Sequence, residues 1–546
     1  MTGSSPQSMS VLISSSDSYE ATVNRDNDSS RSSRGMSAAC QRRVLCGRAV
    51  NVGCHLLAFL VPAVLATNYT INVFYTLGAA MLDSGWFAHL ACHGLQNPPA
   101  LGGTFLADHM SAVLALLALV HTISPTMPDP MFFAISQGFW FGVLGLAASL
   151  CVAQWLPAGR GLLLALLCAM NGISLATLGF PHIEIAIPAL ILLVLALLTT
   201  GRHVAAFILV PLLLTVREDA GLHLAIILVL MAAFRWYRTG QWRMARIEAV
   251  LAALCAIMSL FTLVLQAILF GDGAFSTDGL DSLHAAYLGR SALAHVDWPF
   301  LVHRVLRLGQ NRSYIYLPFL ITILVAVKQG DLGLALGPLS GMPWVALALI
   351  AVSPQAGELT NYYGFPLMMG LCWPMIACQP GFGSIDPRLG VRLLAANVGL
   401  SILLFSVSGG HHDRRPWLSF GPPDFARVAA TEEALDEILN HRGQLGHFIV
   451  DDAVGSLRPS AFSPSELRMM MEYSDAEVAA TNAMIFQKVR WLDAKKRAII
   501  ASADLKVHYR VRGTLLLLYS RTNLEGLSVL ARADHDDTSD LNAAVP

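Results

Sequence analysis

Charge is scarce in this chain: Asp, Glu, Lys and Arg make up 13% of its 546 residues, while 55% are hydrophobic and the mean hydropathy is +0.55. Soluble domains carry roughly 25% charged residues, so a shortage of this size excludes an ordinary soluble fold and leaves a polytopic membrane protein. The net charge is −1 and the basic residues are spread over short loops, which excludes a nucleic-acid partner. Cysteine occurs nine times, but no pair shows a CxxC or disulfide-framework spacing. Cys54, Cys151, Cys168, Cys255, Cys372 and Cys378 fall inside apolar runs, so cysteine does not report the compartment. An early apolar stretch is missing too, which argues against a cleaved secretory signal. Residues 1–40 are rich in Ser, Asp, Asn and Arg and nearly free of aromatics, and such composition cannot offset the entropy of ordering. They are expected to form a disordered cytoplasmic tail ahead of an uncleaved anchor that begins near Ala49, behind Arg42, Arg43 and Arg48.

Twelve apolar runs follow, at about 49–66, 110–123, 131–153, 162–180, 184–199, 203–216, 220–234, 247–270, 314–327, 331–352, 363–378 and 390–408. A crossing needs about 20 apolar residues, and the 110–123 run is short, with Asp108 and His109 at one end and His121 near the other. Lys and Arg collect in short cytoplasmic loops, so Arg235, Arg238, Arg243 and Arg246 set the loop after residue 234 inside. Counting back, Arg160 and Arg202 fall inside, while 67–130, which has no Lys or Arg, falls outside if 110–123 lies along the surface. Lys328 and the SIDPRLGVR loop also fall inside. The expected fold is an all-α polytopic bundle of about eleven transmembrane helices over 41–408, with a first outer loop at 67–130 carrying a juxtamembrane helix at 110–123. The loop 271–313 runs against the charge bias, with Arg290, Arg304, Arg307 and Arg312, but it is long and the bias governs short loops.

Composition shifts after about residue 409. A small α/β extramembrane domain is expected over 409–530 on the outer face, with a frayed tail at 531–546. ATEEALDEILNHR reads as helix, HFIVDD and LLLLYS as strands, and the segment from Ser463 to Val489 as helix with Ser463–Glu466 as a capping box.

The few charges inside the hydrophobic part gather in five clusters: Asp83 in LDSGWFAHLACH; Asp108-His109; His182 and Glu184 in FPHIE; Arg217-Glu218-Asp219 in VREDAGLH; and Glu358 ahead of Asn361-Tyr362-Tyr363. Ionisable groups at membrane depth are retained where they pair, face water or act. The span count puts all five on the outer side. Each also has a structural explanation. Arg217 with Glu218 or Asp219 can close two helix ends as an ion pair, His182 beside Pro181 can start a helix with Glu184 in its first turn, and Tyr362 and Tyr363 fit an interfacial aromatic belt. His89 and His93, four apart, share a helical face as metal ligands do, but their companions are spread over loops. No metal or other cofactor is therefore assigned.

In order, a DSGWF-like acidic motif, a DHMS-like motif, a PHIE-like motif, a REDAGLH-like motif and a late NYYGFP resemble those of an uncharacterised bacterial polytopic membrane family of the GT-C glycosyltransferase superfamily, over about 50–530. The resemblance implies a GT-C-like fold in the inner membrane, with a cytoplasmic N-terminus and the C-terminal domain on the periplasmic face. It also implies inverting transfer of a sugar from a polyprenyl-phosphate donor to a glycan, lipid or protein acceptor. Such a reaction needs a base for the acceptor hydroxyl and donors for the departing phosphate. The expected catalytic residues are Asp83 as base, with Asp108 and His109 orienting the acceptor or sharing that role. Trp86 would support a sugar face, Arg217 would clamp the phosphate, Glu184, Glu218 and Asp219 would meet sugar hydroxyls, and His182 and Glu358 belong to the same substrate-binding set. Tyr362 and Tyr363 would line the lipid-side wall. Two other classes remain: a multi-pass transporter, disfavoured by the lack of an internal repeat, and a non-catalytic scaffold of an envelope polysaccharide system.

Overall fold

The computed structural model describes residues 38–79, 84–97, 105–123, 126–270, 293–359, 361–379, 382, 384–408, 420–463, 465–467, 474–487, 493–511, 513–526 and 530–532. Asp83 lies outside the described residues, as does the expected tail 1–40 up to residue 37. The chain forms two compact units, Met1–Gly53 and Cys54–Pro546.

Every apolar run of the sequence is helical. Among the described residues, six helices are long and apolar enough to cross a bilayer: Val50–Leu77, Asp129–Val152, Ala220–Thr239, Trp242–Gln266, Leu332–Ile350 and Pro387–Val407. The pair Ala158–Ala169 and Gly172–Leu178 is apolar enough to cross when taken together, but it is bent by 50° at the break. The break has a local cause. Asn171 takes an extended backbone, and its side-chain oxygen accepts from Ile173 N at 2.9 Å and Ser174 N at 3.2 Å, starting a new helix. The remaining runs give shorter helices, Ile183–Thr199, His203–Leu214 and Ser313–Gln329, and a segment interrupted at Trp373 between Phe365–Cys372 and Pro374–Ala377. These four are shorter than a full crossing because polar ends or prolines stop them, at His182, Arg217, Arg312 and Pro374. The Ala112–His121 helix is 10 residues long, about 15 Å at 1.5 Å per residue, half a hydrocarbon core. The chain is a multi-pass helical membrane protein, and its lipid-facing side chains show it: Leu56, Leu60, Ile208, Ile257, Leu260, Ile268, Leu324 and Val407 are exposed.

Lipid gives no hydrophobic drive between helices, so their association depends on close approach. Asp129–Val152 supplies this through Gly138 and Gly142, four apart, and Gly145. A Cβ at Gly138 would meet Thr67 Oγ1 at 2.0 Å and Ala63 O at 2.4 Å, and one at Gly145 would meet Ala58 O at 2.1 Å. Elsewhere Trp373 wedges against Gly337 and donates from Nε1 to Gly333 O at 2.7 Å.

The C-terminal segment is a small α/β unit around a five-stranded sheet of β1 (Phe448–Val450), β2 (Ala483–Gln487), β3 (Val507–Val511), β4 (Leu516–Ser520) and β5 (Leu530–Arg532), in the order β1-β2-β4-β3-β5. β1 and β2 are parallel and the other pairs antiparallel. The helix expected from Ser463 onward is not continuous. Ser463 N donates to Glu466 at 2.8 Å, the full capping box stands at Ser474–Glu477 on the short helix Asp475–Ala480, and Ala483–Gln487 is an interior strand of the sheet. All five of its residues are buried, so alternation is lost and the run reads like helix. β5 also carries order past residue 530. The sheet docks on the end of the first span. Tyr75 OH donates to Glu432 at 2.7 Å, Gln487 Nε2 donates to Phe74 O at 3.2 Å, and Glu432 also receives Arg458 at 2.6 Å.

Candidate functional site

Four of the five polar clusters meet where three helix ends and two loops come together. His182 has an extended backbone, and a single 3-10 turn, Ile183–Ile185, which holds Glu184, leads into Ala186–Thr199. Across from it, the chain turns between His203–Leu214 and Ala220–Thr239. Asp219 holds the N-cap position there but makes no cap hydrogen bond, because its carboxylate is bound elsewhere. Arg217 donates from Nε and Nη2 to the two Asp219 oxygens and from Nη1 to Glu184. The helix-end ion pair anticipated for Arg217 is therefore real and has a third member. A guanidinium carries five N–H donors, so two remain for another ligand.

The first-loop helices attach to the same point. His109 Nδ1 lies 3.0 Å from Glu218, whose second oxygen accepts from Met110 N at 3.1 Å. Val113 N donates to Thr215 O at 2.9 Å, and Gln266 Nε2 donates to Leu106 O at 3.2 Å. Asp108 ends the short Phe105–Asp108 helix beside them. Trp86 donates to Asn97 at 2.8 Å and its ring meets Phe105 edge-on at 5.1 Å. Phe87 meets His182 at 4.1 Å, His182 stacks on Tyr362 at 4.0 Å, and Tyr362 stacks on Tyr363 at 4.5 Å. Glu358 is not brought in. Its carbonyl accepts from Arg312 Nε at 2.8 Å, and it does not line the cavity.

Two residues absent from the sequence-based set complete the wall. His223, buried, stacks on Trp344 at 4.0 Å and holds its Nε2 3.7 Å from Asp219. Its signal was present in VREDAGLH, since His223 lies four residues after Asp219 on one helical face. Trp344 sits in an apolar run and gave no signal. Glu184, Arg217, His223, Trp344, Tyr362 and Tyr363 enclose a cavity of ≈ 70 Å³. That is space for about two waters and far below the roughly 300 Å³ of an ordinary small-molecule pocket, so it seats the edge of a larger ligand.

Three carboxylates face one guanidinium here, and the imidazoles respond in opposite ways. Burial drives His182 well below the usual histidine value, assisted by Arg217 and His109, so it is neutral. Burial also pulls on His109, but the Glu218 hydrogen bond and charge outweigh it and the histidine rises. Asp219 would be raised by burial, yet Arg217 holds it well below the carboxylate range. The arrangement offers charged acceptors, neutral imidazole nitrogens and aromatic faces, which suits a hydroxyl-rich ligand. A separate group of ligating side chains, His89, His93 and Asp129 with Cys92 and His121, lies beside the Trp86–Cys92 helix.

No family model matches the chain, and no curated protein matches it. Solved structures do. The apo oligosaccharyltransferase of Archaeoglobus fulgidus is similar at 11% identity, covering 88% of this chain and 76% of its own, with a TM-score of 0.41. ArnT from Cupriavidus metallidurans bound to undecaprenyl phosphate is similar at 11% identity, covering 86% of this chain and 98% of its own, with a TM-score of 0.45. Its apo form is similar at 11% identity, over 89% and 99%, with a TM-score of 0.43.

Proposed function

We propose that the protein is a GT-C-like membrane glycosyltransferase that transfers a sugar from a polyprenyl-phosphate donor to an acceptor hydroxyl on the non-cytoplasmic side, with inversion. The make-up of the cavity wall carries this reading. Glu184 and Arg217 stand beside Trp344, Tyr362 and Tyr363, and the buried His223 holds its Nε2 3.7 Å from Asp219. Aromatic faces take the apolar faces of a sugar ring, while carboxylate and imidazole acceptors take its hydroxyls.

The acceptor oxygen attacks the anomeric carbon, the bond from that carbon to the phosphate oxygen breaks, and its electron pair leaves with the polyprenyl phosphate. Asp83, three residues before Trp86, takes the acceptor proton, a role that contributes about 10²–10⁴-fold. Asp108 and His109 orient the acceptor. The two unused N–H donors of Arg217 face the departing phosphate, and Glu184, Glu218 and Asp219 hold hydroxyls and keep that guanidinium in place.

Replacing Asp83 with Asn in a host that lacks the native copy tests it. Loss of one surface or lipid-linked glycan, with the protein still at its normal level in the membrane, is expected. Unchanged glycans at equal protein level overturn the assignment, and proton-coupled uptake in their place would make the protein a transporter.

A further inference from the structure

The Trp86–Cys92 helix, the first after the first span, carries two stacked histidines. His89 lies on its last turn, His93 is its C-cap, and their ring centroids are 4.3 Å apart. His93 Nε2 stands 3.1 Å from Asp129 Oδ2, the first residue of the Asp129–Val152 helix. One ligating atom each from His89, His93 and Asp129 lies within 4.8 Å of the others, and Cys92, His121 and Asp129 form a second trio around the same carboxylate.

What packing leaves unexplained is the state of the nitrogens. His89 is 3% exposed and its Nδ1 has no hydrogen-bond partner, although its ring also hydrogen-bonds the Gln96 backbone. His121 Nε2 is buried without a partner as well. Each such orphan costs about 1–3 kcal/mol, and two of them next to one carboxylate mark a place for a shared partner. A backbone bond on one side of an imidazole that frees the other nitrogen is how metal-bound histidines are oriented.

We propose that His89, His93 and Asp129 bind a zinc-class divalent cation, with Cys92 and His121 flanking the shared carboxylate. Imidazole, carboxylate and thiol donors favour zinc over magnesium or calcium, which take all-oxygen sets. Bonds of about 2.0–2.1 Å put tetrahedral ligands about 3.3 Å apart, so the observed spread closes with side-chain movements of about 1 Å. With water in the fourth position the site keeps one net positive charge, and with the Cys92 thiolate there it is neutral. His93, with a side chain 41% exposed, gives the ion a way in. The ion acts as a positioning element. A seven-residue helix is marginal on its own, and this one carries Phe87 against His182 and Trp86 against Phe105. Tying it to Asp129 sets one wall of the neighbouring cluster.

Full-length protein purified in detergent without chelator, then equilibrated with Zn2+ or Co2+ and freed of excess, tests this by elemental analysis. About one ion per chain and the visible bands of tetrahedral Co2+ are expected. His93→Gln and Asp129→Asn should each weaken binding at least about 100-fold, and EDTA should lower the thermal midpoint of wild type but not of Asp129→Asn. Background metal in the wild-type protein after Zn2+ equilibration, or equal metal in wild type and a His89→Ala/His93→Gln double variant, overturns the site. The wild-type measurement needs no variant to fold.

Discussion

Arg217 is the residue on which the polar cluster stands, and Arg217→Gln is the most informative single change. The substitution removes the cation that bridges Glu184 and Asp219 and leaves two carboxylates close together with no counter-charge. One partner is nearly buried and the other two are partly wet, at 8% for Glu184, 21% for Arg217 and 22% for Asp219. Breaking a buried pair from one side costs about 3–5 kcal/mol, and the partial exposure places this case at about 3 kcal/mol. The loss should depend on pH with a definite sign. His182 Nδ1 lies 3.8 Å from Glu184, and Arg217 is one of the groups that hold that histidine down. Burial keeps His182 low in the variant too, but without Arg217 it is held down less; a histidine depressed in the folded state costs stability as pH falls below its unfolded value, so wild type loses more on acidification than the variant does. The variant should therefore be closer to wild type near pH 6 than near pH 8. Arg217→Lys, which keeps the charge but loses the fork, should lose roughly half as much. Reversible denaturation in mixed micelles at the two pH values measures all three proteins. An Arg217→Gln variant within about 0.5 kcal/mol of wild type, the usual range of an unimportant surface change, would refute the reasoning, as would a loss that does not vary with pH.

Gly138→Leu should destabilise by about 1–3 kcal/mol or prevent insertion of a folded bundle, since one of the atoms its Cβ would strike is the Ala63 backbone carbonyl, which cannot rotate away; a thermal midpoint equal to wild type contradicts the close approach. His109→Gln tests the Glu218 contact through linkage. The raised His109 value means its stabilisation is complete below the ordinary value of 6.5 and fades as pH rises through the folded value, so the stability gap between wild type and variant should shrink from pH 6 to pH 9. A gap that widens with pH reverses the assignment.

The helical part was legible because lipid solvation is a local property: each apolar run needs no knowledge of its neighbours to be seen, and the run at 131–153 became Asp129–Val152. Convergence of the clusters was legible too, since counting spans by loop charge put the FPHIE and VREDAGLH motifs on one side, and Arg217 bridges Glu184 and Asp219 there. Pairings across the bundle were not. Trp344 and His223 meet only when two distant helices pack, and nothing around Trp344 in sequence distinguishes it from lining for lipid. That Glu184 would join Asp219 on the Arg217 fork was equally invisible, because a phosphate clamp and a carboxylate pair need the same guanidinium. The strand Ala483–Gln487 was misread for a different reason. A strand covered on both faces has no alternation to show, and its central place in the sheet depends on β1 and β4 far along the chain. The orphaned nitrogens of His89 and His121 belong to this class, since their isolation appears only once the Trp86–Cys92, Ala112–His121 and Asp129–Val152 helices share one corner.

The most direct measurement is sugar transfer by the purified protein in lipid vesicles, with a labelled sugar on undecaprenyl phosphate as donor and a host glycolipid extract as acceptor, comparing wild type with Asp83→Asn. Transfer by wild type and a fall of at least about 10²-fold in the variant, at equal folded protein, is the predicted result. Equal transfer by both proteins, or release of label inside the vesicles without a new glycosidic bond, contradicts it.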